Sequence, residues 1–592
     1  MNIDNGKLYN AYLFGAKNVM ENKNYLNKIN VFPVADGDTG SNLSSTMKAI
    51  IRESKIKESV KDSLESIADA ALGGARGNSG IIFAEYLNGV SIEMNSGSII
   101  TTEHFANANS KAVKYAYDAI SNPVEGTMLT VIKVWADALM EFVHKATDFV
   151  ELLTLSNERL EKSVINTQYQ LSCLKKASVV DSGAKGFECF VKGILEFIKS
   201  GKDEVNQEIK DNGLVMEEID APLHSYEDLT YRYCTEATFK GDSEKLKLIK
   251  AELESLGDSL IVAGNDRIQR VHIHTDMPSR VFEALGKYVH VSYQKVDDMK
   301  LQSDMIANRK ANIALVTDSI ADLPEEFIDL HQIHVVSLNI LFEDVSYLDK
   351  LTIKTDKLLE YSKDKELPTS SLPDVKQIHN RLSYLLSYYE QVLVMTVSSE
   401  LSGTYDQFVK VAQKLSHEGK QVKVINTKQN SGAEGLLVME AARLIEQGVE
   451  FEEIVLRITK SIEDSKIFVC IKTLENMIKS GRLSMKAGKI AKAIGMKPII
   501  TLDKDGMGKL STVAFSFKSS QKKLKRHITK ILKTRKIKSY SLVHVCNLDE
   551  AIAFAEELHE IIGVKAEYIT ETSAIVGIGA GIGAIGFSYI LE

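Results

Sequence analysis

Asp36 and Asp38 stand two residues apart in Asn30-Val-Phe-Pro-Val-Ala-Asp-Gly-Asp-Thr-Gly-Ser-Asn42, a stretch punctuated by proline and glycine. Side chains of an extended backbone repeat every second residue, so both carboxylates face one way and can share one or two cations. Magnesium takes oxygen ligands, keeps several waters and sits between one or two carboxylates and substrate phosphates. The chemistry to expect is therefore that of a metal–nucleotide complex, and the reaction class is phosphoryl transfer. A second reading stays open here: an Asx turn whose aspartates cap a helix starting near Asn42.

Two further loops bear on the choice. Gly77, Asn78, Ser79 and Gly80 open the apolar segment Ile81-Ile82-Phe83, and a glycine-rich turn feeding a helix presents N–H groups that favour anions. Thr127, in Pro-Val-Glu-Gly-Thr, offers a hydroxyl facing phosphate. Each alone reads equally as an interhelical turn, but several on one helical region are harder to dismiss. Cys234, His272 and His274 can supply one sulfur and two nitrogens to zinc, the two histidines alternating onto one strand face. Their spacing is not diagnostic, so a buried thiol beside two satisfied histidines is the competing reading.

These residues must be held by several domains, since 592 residues exceed what one core supports. From Lys7 to about Ser200, apolar residues recur at helical spacing (Val60, Leu64, Ile67 and Ala71; Val131, Val134, Ala138 and Phe142), which predicts an all-α region over 1–200. A polar stretch ending near Asn212-Gly213 marks a boundary. Strands at Tyr231–Glu236, Ser259–Ala263 and Arg270–Thr275 around a helix from Ser243 to Leu256 predict a small α+β module over 214–306. Over 311–592, Ile313–Thr317, Val335–Ile340, Val392–Thr396 and Val422–Ile425 alternate with amphipathic segments, the pattern of a mostly parallel sheet. A second α/β lobe runs from about Ile454 to the end, and Lys522–Lys538 reads as one basic amphipathic helix, either a solvated face over a core or a contact with anionic lipid.

Composition bounds the partners. With 44% apolar and 26% charged residues and a net charge of −8, the chain has the make-up of a soluble globular protein and no basic surplus for nucleic acid. Five widely spaced cysteines without a CxxC pair argue against a disulfide framework, and with no signal-like N-terminus or membrane-length apolar run the expected location is cytoplasmic.

The motifs Asn-Val-Phe-Pro-Val-x-Asp-Gly-Asp-Thr-Gly-x-Asn, Gly-Ala-Arg-Gly-Asn-Ser-Gly and Pro-Val-Glu-Gly-Thr together resemble the nucleotide-binding domain of the dihydroxyacetone kinase family, more narrowly the ATP-binding subunit of bacterial fatty acid kinase, over about residues 7–200. The resemblance implies an eight-helix antiparallel barrel with ATP and two magnesium ions at one end. By it, Asp36 and Asp38 are metal ligands, with Asn30 in place of the third acidic ligand of the dihydroxyacetone kinases, and Thr39, Ser41, Asn42, Asn78, Ser79, Gly80 and Thr127 meet the nucleotide. The middle module resembles the fatty acid kinase linker domain, for which structural support, homodimerisation and assistance to transfer are all open roles.

Thr317-Asp-Ser319, Pro368-Thr-Ser370, Ser398-Ser-Glu-Leu-Ser-Gly-Thr404, Lys479-Ser-Gly-Arg482 and Lys497-Pro-Ile499 resemble the DegV family, the fatty-acid-binding partners of fatty acid kinase, over about 311–592. This implies a two-lobed α/β protein that buries an acyl chain and holds its carboxylate with hydroxyl donors. Independently, Ser402 and Thr404 follow a strand and open a helix, so their hydroxyls and the backbone N–H groups can bind an anion or simply cap the helix. Thr369 and Ser319 add donors and Arg482 a positive charge, although Ser480 replaces the first glycine of the family's segment there. The larger departure is at Gly577–Gly586, where Gly579 stands in the place of a family histidine and Ile582 in that of a proline, removing a head-group contact. The GxGxxG of Gly581, Gly583 and Gly586 has only six residues after it and cannot open a βαβ unit.

The combined expectation is an ATP- and magnesium-dependent fatty acid kinase that makes an acyl phosphate, for use by an acyltransferase. The alternatives are a kinase of a small hydroxyl compound, as in the dihydroxyacetone kinases, and a lipid-binding protein regulated by nucleotide.

Overall fold

The computed structural model describes residues 2–32, 37–120, 123–200, 230–242, 244–363, 365–416, 420–474, 476, 478 and 496–592. The chain divides into two compact units, Met1–Ser303 and Asp304–Glu592. Among the described residues no helix is long and apolar enough to cross a membrane.

The first unit begins with helices α1 (Asn5–Glu21), α2 (Lys23–Lys28), α3 (Thr39–Glu53), α4 (Val60–Gly74), α5 (Gly77–Glu93), α6 (Thr102–Asp118), α7 (Met128–Phe142), α8 (Phe149–Gln170), α9 (Ser172–Ala177) and α10 (Ser182–Lys199). The longer helices pack in chain order from α1 and α3 through α8, and α10 lies against both α8 and α1. Helical spacing of apolar residues drives this: α4 buries Val60, Leu64, Ile67, Ala68 and Ala71, and α7 buries Val131, Ile132, Trp135 and Leu139. Phe187 meets Phe83, Tyr86 and Trp135 edge to face in the core, where each buried ring contributes a large apolar area. A short antiparallel pair, β1 (Asn2–Asp4) with β2 (Ile99–Thr101), is an addition that the helical pattern did not announce.

The helix starts differ by end. Asp4, Ser59, Thr101 and Asp148 cap α1, α4, α6 and α8, each accepting a first-turn backbone N–H. By contrast α3, α5 and α7 begin after Asp38, Arg76 and Thr127 with no side-chain cap.

The rest of the first unit is a four-stranded antiparallel sheet built from β3 (Tyr233–Lys240), β4 (Asp258–Gly264), β5 (Gln269–Thr275) and β6 (His290–Asp298) in the order β4-β5-β3-β6. Helices α11 (Lys245–Leu253) and α12 (Pro278–Leu285) pack on it. Sequence patterning found three of these strands and α11 but not β6 or α12. The expected start of the module at residue 214 lies outside the described residues.

In the second unit β7 (Ile313–Asp318), β8 (His334–Val336), β12 (Gln391–Thr396) and β13 (Gln421–Asn426) form a wholly parallel sheet in the order β13-β12-β7-β8. The single strand expected over Val335–Ile340 is corrected to two: β8 closes the parallel sheet, while β9 (Asn339–Phe342) joins β10 (Val345–Leu348) and β11 (Thr369–Ser371) in a separate antiparallel sheet. The second lobe holds β14 (Ser465–Cys470), β15 (Lys497–Leu502), β16 (Gly508–Ala514), β17 (Ile537–His544), β18 (Ile569–Glu571) and β19 (Ile585–Leu591) in a six-stranded sheet ordered β16-β15-β14-β19-β17-β18. The helix Ser431–Glu446 joins the lobes, its Leu436, Leu437 and Val438 packing with Leu393 and Met395 of the first sheet and Val543 and Ile590 of the second.

The basic helix is shorter than expected. It spans Phe517–Ile531 with Leu524 and Ile528 buried, and Ile537 already starts β17, because Ile537, Tyr540 and Leu542 belong to the core of the sheet. This packed apolar face favours the solvated-face reading. The glycine run ends a short helix, Ala574–Ala580, and leads into β19, an order opposite to a dinucleotide-binding turn.

Candidate functional site

Four helix starts converge in the first unit. A Cβ built on Gly77 would lie 2.4 Å from Asn42 Nδ2, and one on Gly183 would lie 3.1 Å from Met128 Cε and 3.3 Å from Ser79 Oγ, so the beginnings of α3, α5, α7 and α10 meet at one end of the helical region. Gly77 holds φ +57°, a left-handed conformation that glycine adopts without steric cost. Aligned N-terminal N–H groups and helix dipoles make such a place favourable for phosphate.

Of the nucleotide residues expected from sequence, Thr39, Ser41, Asn42, Asn78, Ser79, Gly80 and Thr127 all lie on these starts. Asp38 takes the N-cap position of α3, yet its side chain makes no capping hydrogen bond, and the helix begins at Thr39 rather than near Asn42. Ser41 is tied to Asn27, which donates from Nδ2 to Ser41 Oγ at 2.9 Å and accepts the Ser41 N–H at 3.0 Å. The Thr127 hydroxyl donates to the Val124 carbonyl at 2.7 Å, and Asn78 Oδ1 is buried with no hydrogen-bond partner among the described residues. Asn30 is 1% exposed, while Asp36 lies outside the described residues.

Asp181 belongs to this site although sequence reasoning marked only its motif. It caps α10 by accepting the Ala184 N–H at 2.7 Å, and burial pushes its carboxyl up to about 6 against the hydrogen bonds from Ala184 and Met128.

The sheet brings a second group to the same loops. Register pairs Cys234 with His274 and Glu236 with His272 across β3 and β5, so these four side chains share one face. Cys234, His272 and His274 offer ligand atoms within 4.8 Å of one another. His274 Nδ1 lies 3.5 Å from Asp258 Oδ1, the kind of carboxylate partner that orients a ligating imidazole. Burial, with the charge of His272 beside it, pushes His274 down to about 3, which keeps its ring neutral. His272 Nε2 and Glu236 Oε2 are buried with no hydrogen-bond partner among the described residues. This donor set fits zinc: one thiolate and two neutral imidazoles with a fourth position left for water or substrate.

The two groups are neighbours. Burial raises the Cys234 thiol well above its ordinary value, and Glu236, Asp297 and Asp38 add to the rise. Glu236 Oε1 accepts the Gly77 N–H at 3.0 Å, so the sheet touches the start of α5 directly. Burial opposes ionisation of Glu236, but the His272 hydrogen bond and the charges of Lys295, His272 and Arg270 outweigh it and hold the carboxyl well below the usual range. Sequence reasoning missed Glu236; its signal was the two-residue step from Cys234 along a strand.

In the second unit the hydroxyls are arranged differently from expectation. Ser319 is fully buried, donating to Asp349 Oδ2 at 2.8 Å and accepting the Leu338 N–H at 3.2 Å, so its hydroxyl is committed to the framework. Ser402 Oγ lies 2.8 Å from Thr404 Oγ1 and accepts the Thr404 N–H at 3.3 Å, just before the helix Thr404–Leu415. Thr369 is exposed on β11, and Leu372 beyond it rests on Gly403, whose Cβ would lie 3.1 Å from Leu372 Cδ1. These elements therefore bring Thr369, Ser402 and Thr404 to one region and leave Ser319 in the interior. Arg482 lies outside the described residues, and Gly579 sits in the helix Ala574–Ala580.

Three family models match the chain: the DAK2 domain over residues 33–196, the FakA-like middle domain of fatty acid kinase over 230–306, and the DegV family over 312–592. The chain joins these three domains in one polypeptide. Curated relatives include an uncharacterized protein of Staphylococcus epidermidis, 33% identical over 358 residues covering 56% of this chain and 65% of the relative, and one of Staphylococcus haemolyticus, 32% identical over 361 residues with the same coverage. The chain thus spans just under two-thirds of the length of these relatives. Solved structures similar to the DegV part include a fatty-acid-binding DegV family protein from Thermus thermophilus (24% identity, 48% of this chain and 100% of that one, TM-score 0.44). Another is DegV, a fatty acid binding protein from Bacillus subtilis, with 24% identity, the same coverage and a TM-score of 0.43.

Proposed function

We propose that this protein is an ATP- and magnesium-dependent fatty acid kinase, in which the eight longer helices of the DAK2 domain act as a closed nucleotide-binding barrel and the DegV domain binds the acyl acceptor. The observation that carries the reading is the convergence of four helix starts, three without side-chain caps, beside Asp38 and next to a fatty acid kinase-like middle domain. Asp38, Asp36 and Asn30 would hold magnesium, which when bound neutralises phosphate charge. The N–H groups of α3, α5 and α7 would orient the phosphates, with Asn78, Ser79 and Thr127 alongside. Cys234, His272 and His274 would hold zinc, supplying positive charge beside those phosphates.

The transfer breaks the bond between the γ-phosphorus and its bridging oxygen and forms one to a carboxylate oxygen, releasing ADP and an acyl phosphate. A fatty carboxylate is already ionised near neutrality, so no general base is needed and positioning supplies most of the catalysis. Ser402, Thr404 and Thr369 would bind the carboxylate with Arg482 as counter-charge. Gly579, in the histidine's place, offers no imidazole, so the head group depends more on these hydroxyls.

Incubation with ATP, magnesium and a panel of fatty acids, with hydroxylamine as trap, should yield hydroxamate. A folded protein that gives none at any chain length overturns the reading. The DAK2 match supports a second reading, transfer to a small hydroxyl compound, for which a polyol would drive ADP release without hydroxamate.

A further inference from the structure

The loop between α4 and α5 is gripped from the sheet by two buried residues of opposite charge. Glu236 and Arg270 are 4% and 6% exposed and lie 4.0 Å apart at Nη1 and Oε2. Arg270 Nη2 donates to the Gly73 carbonyl at 2.6 Å and Nη1 donates to the Ala75 carbonyl, while Glu236 Oε1 accepts the Gly77 N–H at 3.0 Å. The charges suit their places. Gly73 and Ala75 end α4, where carbonyls are left unsatisfied and a cation is favoured; Gly77 starts α5, where the reverse holds. A loop left to itself would have to choose among the many conformations open to Gly73, Gly74 and Gly77; three hydrogen bonds to a rigid sheet select one.

We propose that Glu236 and Arg270 are positioning residues for nucleotide: the pair fixes the Gly73–Gly77 loop so that the first N–H groups of α5 meet phosphate in a set geometry, and phosphate binding in the DAK2 domain depends on the middle domain for this reason. The inference rests on the reading that this loop binds ATP. It makes the middle domain part of the nucleotide site through backbone contacts, separately from the Cys234–His272–His274 cluster.

The test is equilibrium binding of a non-hydrolysable ATP analogue with magnesium to the full chain, by calorimetry. Glu236→Ala removes the acceptor for Gly77, whereas Glu236→Gln keeps an oxygen there. A charged hydrogen bond in a buried site corresponds to roughly tenfold in affinity or more, so the alanine variant should bind at least about tenfold more weakly and the glutamine variant within about threefold of wild type. Arg270→Lys keeps the charge but cannot reach two carbonyls at once, and should weaken binding about tenfold with wild-type circular dichroism; it decides the matter if Glu236→Ala does not fold. Zinc content measured on each variant separates the loop from the metal cluster, since the clamp predicts weaker nucleotide binding at unchanged zinc. Folded variants that bind the analogue within twofold of wild type, equal losses in Glu236→Ala and Glu236→Gln, or a loss that tracks zinc each overturn the clamp. Wild type that binds no analogue overturns the ATP reading instead.

Discussion

At the residue scale the chemistry rests on groups whose surroundings set their charge. Asp38 heads α3 without capping it, within electrostatic reach of the Cys234 thiol. Replacing Asp38 by Asn should lower kcat by a factor on the order of 10²–10³ while leaving fatty acid binding unchanged, as expected for loss of a charge that acts mainly in the transition state. A steady-state ADP-release assay and a lipid-binding titration check the two halves. Cys234 and His274 face each other in register on adjacent strands with His272 beside them. Purified protein should carry close to one zinc per chain by elemental mass spectrometry, and Cys234→Ser should lose most of it; zinc-free wild type would refute the cluster's assignment.

At the element scale, function is concentrated where helices start. Side-chain caps stabilise the beginnings of α1, α4, α6 and α8, whereas those of α3, α5 and α7 have none and converge. Gly77 makes the convergence possible, since its φ of +57° and its 2.4 Å approach to Asn42 both exclude a side chain. Gly77→Ala should destabilise the first unit by about 1–3 kcal/mol and weaken nucleotide binding, read by thermal unfolding and analogue titration. Trp135, the sole tryptophan, is buried in this unit, so its fluorescence isolates the transition.

At the scale of the whole molecule, the second unit is built around buried acids. Asp318 accepts the Val397 N–H at 2.9 Å, and Asp349 accepts the Ala574 N–H at 2.9 Å, bringing a helix of the second lobe to the loops after β9 and β10. Burial pushes both carboxyls up to about 6, with the neighbouring hydrogen bonds and Lys350 opposing. Glu434, fully buried with neither oxygen hydrogen-bonded among the described residues, is raised further by burial and by Asp318 and Asp322. A raised acid binds more protons folded than unfolded, so its contribution to stability is present below about pH 4 and lost as pH rises through about 6. For Asp349 the loss is about 3 kcal/mol. Asp349→Asn can still serve Ala574 and Ser319, and should raise the unfolding temperature of the second unit at pH 7.5 but not at pH 4, by calorimetry of the full chain. An equal change at both values would show that ionisation of Asp349 does not matter.

The sequence by itself determined which residue types could hold metal and phosphate, because Asp-Gly-Asp, the glycine turn at Gly77–Gly80 and the Cys–His–His set are local in chain or in strand period. It also determined the helical, α+β and α/β textures, since periods of 3.6 and 2 follow directly from backbone geometry. It did not reveal that Val335–Ile340 divides between two sheets or that the basic helix stops at Ile531, because a strand partner or a core position elsewhere settles such boundaries. Ser319 reads as a donor in sequence and is consumed by Asp349, thirty residues on. Glu236 and Gly77 are 159 residues apart, and Arg270 meets Gly73 across 197. Only the tertiary structure decided those contacts, because hydrogen bonds between distant segments depend on which faces pack together, and no local pattern encodes that.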